Sequence, residues 1–261
     1  MLVACARGWH LFGHGPRAVS ADWLAWPLVG AEAEELMAGM RAAFGDLADP
    51  LSTWAAARSQ QPEDWLAGSG AEQYVILGAG LDSFAWRQDG GVQVFEVDEP
   101  ATQAWKRSRL EGLGIPDPPE LVWVPVDFEV ESIDAGLRRA GCASEPTFIS
   151  WLGVLHYLTL EAVRATLRAL PPCSLAVSYV PPEDMWRGEG RAASKTFQAM
   201  AREAGEPFVT LLTPVEFGDV LTDAGFALID EVGPEDVEDR YGLPAVSIGD
   251  ERVVLATKAA S

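Results

Sequence analysis

The stretch YVILGAGLDSFAWR, residues 74–87, constrains the possible folds of this chain more than any other. Tyr74 to Leu77 form an apolar run that ends directly in Gly78-Ala79-Gly80. An unbroken apolar run closed by glycines predicts a strand buried on both faces of a parallel sheet. Gly78 and Gly80 would let a ligand approach the backbone without meeting a Cβ. Asp98 follows 20 residues after Gly78, at the end of the strand-like VQVFEVDEP. A glycine turn and a strand-end acid at that spacing are how open α/β sheets hold the ribose of an adenine nucleotide or nucleoside.

The turn also bears on which adenosine compound it holds. A dinucleotide fingerprint needs a third glycine, so that the next helix points its N-terminus at a pyrophosphate. Ser83 occupies that position, and Asp82 stands before it. A carboxylate there repels phosphate and attracts ammonium and sulfonium groups. S-adenosylmethionine is therefore the expected cofactor, and NAD, with an oxidoreductase function, the weaker alternative.

At 261 residues the chain is long enough for a substantial core, either as one large domain or as a domain with a cap. Its net charge of -20 argues against nucleic acid and anionic membranes as partners. No apolar run is long enough to span a membrane. The N-terminal MLVACARGWHLFGHG lacks the apolar core and cleavage site of a signal peptide, so a cytoplasmic location is expected. Cys5, Cys142 and Cys173 are scattered, read as buried thiols, and form no ligand cluster with His10, His14 and His156.

Residues 1–70 carry no good strand and predict a helical cap. Its short helices lie between Val19 and Ala57, with breaks near Pro27-Gly30 and Gly45-Pro50. Residues 71–261 alternate between strand and helix patterns, the mark of an α/β sheet. Strands are expected near 74–78, 92–97, 121–126, 147–151 and 174–180. One helix should start at Pro100 and end in the cationic Lys106, Arg107 and Arg109, which suit a helix C-terminus. Another follows Thr159. A third, near 214–224, has Thr213 and Glu216 as a capping box around Pro214. GFALIDEVG and ERVVLATKA close the chain as an antiparallel pair.

VILGAGLDSFAWR, VFEVDEPATQAWKRSRL, LVWVPVDFE and FISWLGVLHYLT occur in this order along the chain. In order and spacing they resemble the motifs of class I S-adenosylmethionine-dependent methyltransferases of the leucine carboxyl methyltransferase type, over roughly residues 55–233. The resemblance implies a Rossmann-like α/β fold: a mostly parallel seven-stranded sheet, its last strand antiparallel, beneath a helical N-terminal cap. It implies that Arg58 grips the methionine carboxylate and that Gly78 and Gly80 pass beneath the methionine and ribose. It also implies that Asp98 accepts from both ribose hydroxyls, that Asp127 and Phe128 meet adenine, and that Trp151 borders the cofactor. Leu152 stands where many relatives carry a glutamate, so the contact to the methionine amine must come from elsewhere.

The implied reaction is O-methylation of a small molecule, with a carboxylate as the favoured acceptor. A carboxylate, ionised above a pKa of about 4.3, needs no base. A hydroxyl acceptor would need one, and His156 beside Tyr157 is the candidate pair. A non-catalytic binding protein on the same fold is the remaining alternative.

Overall fold

Strand β1 (Gln73–Leu77) is buried along its whole length. Val75 and Leu77 enter one hydrophobic core, Tyr74 and Ile76 another, as the two-residue period of a strand requires. The structure, a computed structural model, describes residues 1–127, 131–142, 146–188, 190–203 and 205–259. Before β1 come α1 (Leu2–His14), α2 (Ala25–Val29), α3 (Ala33–Phe44) and α4 (Ala48–Ser69). After it come α5 (Phe84–Arg87), β2 (Gln93–Asp98), α6 (Pro100–Gly112), β3 (Leu121–Pro125), α7 (Ile133–Arg139), β4 (Thr147–Trp151) and α8 (Leu160–Ala169). The chain continues through β5 (Cys173–Tyr179), α9 (Gly190–Glu203), α10 (Pro214–Asp223), β6 (Ala227–Val232), α11 (Val237–Tyr241) and β7 (Arg252–Lys258).

The seven strands form one sheet in the order β3-β2-β1-β4-β5-β7-β6. β7 lies antiparallel to both β5 and β6, so the expected antiparallel last strand is present and sits inside the sheet. The strands fall within a residue or two of their predicted bounds, and the Pro100 helix starts as expected but runs three residues past Arg109, to Gly112. Thr159 caps α8 through Ala162 N, and Thr213 with Glu216 forms the capping box of α10.

Three readings of the sequence need correction. The region before Val19 is helical, as α1. Gly45 does break the chain, at φ +56, but Pro50 lies in the first turn of α4, where no intrahelical N–H is needed. A second proline, Pro62, lies inside α4 without ending it. Finally, Lys106 is not at the helix end: α6 runs on to Gly112, and the Lys106 side chain is only 1 % accessible. Leu24, Leu28, Val29 and Met37 build the core of the N-terminal helices, and Leu81 and Leu110 of the sheet region join it. Among the described residues no helix is long and apolar enough to cross a membrane, and no group of His, Cys, Asp and Glu could hold a metal.

Candidate active site

The strand order reverses between β1 and β4, and open α/β sheets bind ligands in the crevice at such a switch. Leu77 and Trp151 end these strands in register. The turns beyond them, Gly78-Ala79-Gly80 and Leu152-Gly153-Val154, wall a cavity of about 210 Å³ together with Asp82, Arg7, Arg58 and Ser59. Gly78 has φ +68 and Gly80 φ +48, and a Cβ on Gly78 would lie 2.8 Å from Val154 Cγ2. Only glycine takes both the conformation and the space.

Asp98 ends β2, and its carboxylate meets the glycine turn directly. Oδ2 accepts from Gly80 N at 2.5 Å and Oδ1 from Glu99 N at 2.7 Å. Gly78 N and Ala79 N both donate to Val97 O, at 2.9 and 3.2 Å, so the turn is tied to β2. Asp127 lies just beyond β3, next to this strand end, since Val126 N donates to Asp98 O at 3.0 Å. Its expected companion Phe128 lies outside the described residues. Trp151 is buried in the main core and lines a space of about 430 Å³ that adjoins the first cavity at Leu77, Gly78 and Val154.

Buried charges hold the glycine turn from below. Lys106 Nζ donates to Glu96 Oε2 and to Asp82 O, both at 2.6 Å, with the rings of Trp86 and Trp123 at 5.0 and 5.4 Å. Burial pushes the Glu96 carboxyl up to about 7, although Lys106 opposes the shift. Asp82 Oδ1 accepts from Phe84 N at 2.8 Å, which fixes its carboxylate at the cavity wall. Above the turn, Asp22 accepts from Arg7 Nε at 2.8 Å and from the Ser83 hydroxyl. Burial would raise the Asp22 carboxyl, but Arg7, Arg87 and Ser83 outweigh it and hold the group below its usual range. Arg7 Nη2 also donates to Leu81 O at 2.7 Å, so the N-terminal helices are pinned to the loop they cover.

Arg58 comes from the middle of α4 and does not hang free. Its Nη1 donates to both oxygens of Glu251 at 2.9 Å, across 193 residues of sequence, while its buried Nε has no partner. Glu251 precedes β7 and also accepts from Trp54 Nε1 at 3.0 Å. Burial would raise the Glu251 carboxyl, but Arg58, His156 and its hydrogen bonds hold it low. Arg58 therefore lines the cavity of the glycine turn and also meets a carboxylate that no local pattern reveals.

A second cavity, of about 130 Å³, lies beyond this ion pair. It shares Val3, Arg58 and Gly153 with the first, and its other walls include Trp54, Ala55, His156, Tyr157, Val180, Phe197, Phe208 and Glu251. His156 is buried, with ring centroids 4.2 Å from Tyr157 and 4.6 Å from Phe208, and its Nδ1 has no partner. Burial lowers its pKa to about 4, so the ring is neutral at pH 7. The sequence motifs located His156 and Tyr157, but not the aromatic residues of α9 and the loop after it.

A glycine turn, a strand-end acid and an antiparallel strand next to the sheet edge define the fold class of the Rossmann-like methyltransferases. A solved structure from Thermobifida fusca YX, titled a "putative methyltransferase", superposes with a TM-score of 0.59 at 21 % identity, covering 90 % of this chain and 92 % of that one. Magnesium protoporphyrin IX methyltransferase from Synechocystis PCC 6803, solved with bound SAH, gives 0.50 at 14 % identity over 84 % and 92 %. A sequence profile of the leucine carboxyl methyltransferase family matches residues 1–170, from α1 to just beyond α8, and the chain belongs to that family. A Bacillus subtilis protein named "Putative S-adenosyl-L-methionine-dependent methyltransferase YktD" is 34 % identical over 180 residues, 66 % of this chain and 59 % of the relative. A Parafrankia relative with the same general name is 33 % identical over 200 residues, 70 % of this chain and 62 % of its own length. The chain thus spans about three-fifths of the length of these relatives.

Proposed function

We propose that this chain transfers a methyl group from S-adenosylmethionine to an oxygen of a small-molecule acceptor. The observation that carries this reading is the junction of two cavities at Val3, Arg58 and Gly153: one is framed by the glycine turn, the other apolar. The residues present fit the cofactor. Gly78 and Gly80 leave room at the backbone, Asp82 offers a carboxylate to the methionine ammonium, and Arg58 has a buried, unpartnered Nε for the methionine carboxylate. Asp98 keeps lone pairs for the ribose hydroxyls, and Asp127 stands beside it for adenine. When bound, S-adenosylmethionine supplies a methyl carbon whose bond to sulfur breaks as the acceptor oxygen bonds to it, the electron pair returning to sulfur. The chain's part is to align the acceptor and exclude water. Titration with S-adenosylmethionine and S-adenosylhomocysteine tests cofactor binding, and a gain of one methyl in a metabolite extract tests turnover. Cofactor binding without methyl gain would instead support a non-catalytic binding protein.

The family points to a carboxylate acceptor, which needs no base. The unpartnered Nδ1 of His156 favours a second reading, a hydroxyl whose proton His156 takes. An ordinary imidazole would reveal that role as an acid limb near pH 6.5. With its pKa lowered to about 4, His156 would titrate where a carboxylate acceptor also does, so the pH profile does not separate the two. His156→Gln does. A loss of about a hundredfold or more in kcat marks a general base, and a loss of only a few-fold marks a carboxylate acceptor.

A further inference from the structure

We propose that the apolar cavity seats a single-ring aromatic acceptor, its ring among Trp54, His156, Tyr157 and Phe208 and its reacting oxygen at the Arg58–Gly153 wall. The ring-binding half stands on the cavity alone, and the oxygen's direction rests on the methyl-transfer reading. Size is the first argument. The cavity measures about 130 Å³, and an apolar protein cavity of about 150 Å³ holds one benzene. Shape is the second. His156, Tyr157 and Phe208 meet at steep angles of 50 to 74°, and Phe197 extends the cluster with its centroid 6.1 Å from that of Phe208. Tilted and edge-to-face arrangements of this kind accept a further ring and favour it beyond area burial alone. A linear chain of similar volume must instead freeze each of its rotors.

Charge narrows the class further. Among the described residues of this wall, Arg58 and Glu251 neutralise each other, and His156 and Tyr157 are uncharged at pH 7. A guanidinium already shared with Glu251 does not compensate a phosphorylated or polyanionic acceptor, whereas a phenol brings no charge and an aryl carboxylate only one. The acceptor therefore carries its oxygen on the ring or one atom away, as a phenol or an aryl carboxylate does.

The test is calorimetric titration of the full chain, with and without S-adenosylhomocysteine, using benzoate, phenol and hexanoate as probes. Benzoate or phenol should bind at least tenfold more tightly than hexanoate. Ala55→Phe, which fills the cavity from α4, should abolish ring binding while S-adenosylhomocysteine still binds. Phe208→Ala, which removes one face without filling the space, should weaken the ring ligand severalfold and hexanoate little. Hexanoate binding as tightly as both ring compounds, no ring binding at all, or ring binding unchanged in Ala55→Phe would overturn the proposal. Ring binding in a chain that takes no S-adenosylhomocysteine would leave the ring site standing and remove only the cofactor reading.

Discussion

Asp98 serves the protein and the proposed ligand with the same carboxylate. It already holds the amides of Gly80 and Glu99, so replacing it removes both the acceptor for the ribose and the tether of the turn. Asp98→Ala should weaken S-adenosylhomocysteine binding by about 2–4 kcal/mol, the order of magnitude for losing hydrogen bonds to a charged group. Calorimetry on the folded variant checks this, and an unchanged dissociation constant would remove Asp98 from the site. Asp98, Gly78 and Gly80 were legible because their spacing is a local pattern along one βαβ unit. Glu251 was not, because its meaning depends on Arg58, which the fold brings to it from the far end of the chain. Phe197 and Phe208 were illegible for a related reason: an aromatic beside a cavity and an aromatic in a core look alike in sequence.

Among the elements, α6 shows how a cationic helix end can mislead. Lys106, Arg107 and Arg109 suit a helix C-terminus, yet Lys106 points inward to Glu96 and holds the glycine turn through Asp82 O. Lys106→Met should cost about 3–5 kcal/mol, because it strands a buried carboxylate. Adding Glu96→Leu should recover much of that, since a buried pair replaced by apolar groups is often near neutral. Urea unfolding of the single and double variants measures both effects. The strands were readable because each is an apolar run closed by turn residues. α1 was not, because Gly8 inside it reads as a breaker. In the fold that glycine is where α1 meets Trp26, and a Cβ there would lie 2.9 Å from the indole's own Cβ.

For the molecule as a whole, acid stability has a traceable contribution from the N-terminal helices. Burial, with His14 nearby, lowers His10 to about 4, and its Nε2 accepts from Val19 N at 3.0 Å. Protonation would set two donors against each other. The unfolded chain takes that proton near pH 6.5, so this contribution is present above pH 6.5 and is lost as pH falls towards 4. His10→Gln keeps an acceptor without the titration. Between pH 7 and 4.5 the variant should gain on the parent chain by about 2–3 kcal/mol, read as a difference in urea midpoints. A pH-independent difference would show that His10 does not titrate in this way. Pro62 carries a different consequence. A proline inside a helix leaves the carbonyl four residues earlier without its donor, and in α4 that residue is Arg58. The missing bond lies in the turn that carries the side chain joining the two cavities, so one peptide group bears on both the helix and the site. Pro62→Ala, which restores that donor, should raise the unfolding midpoint in urea.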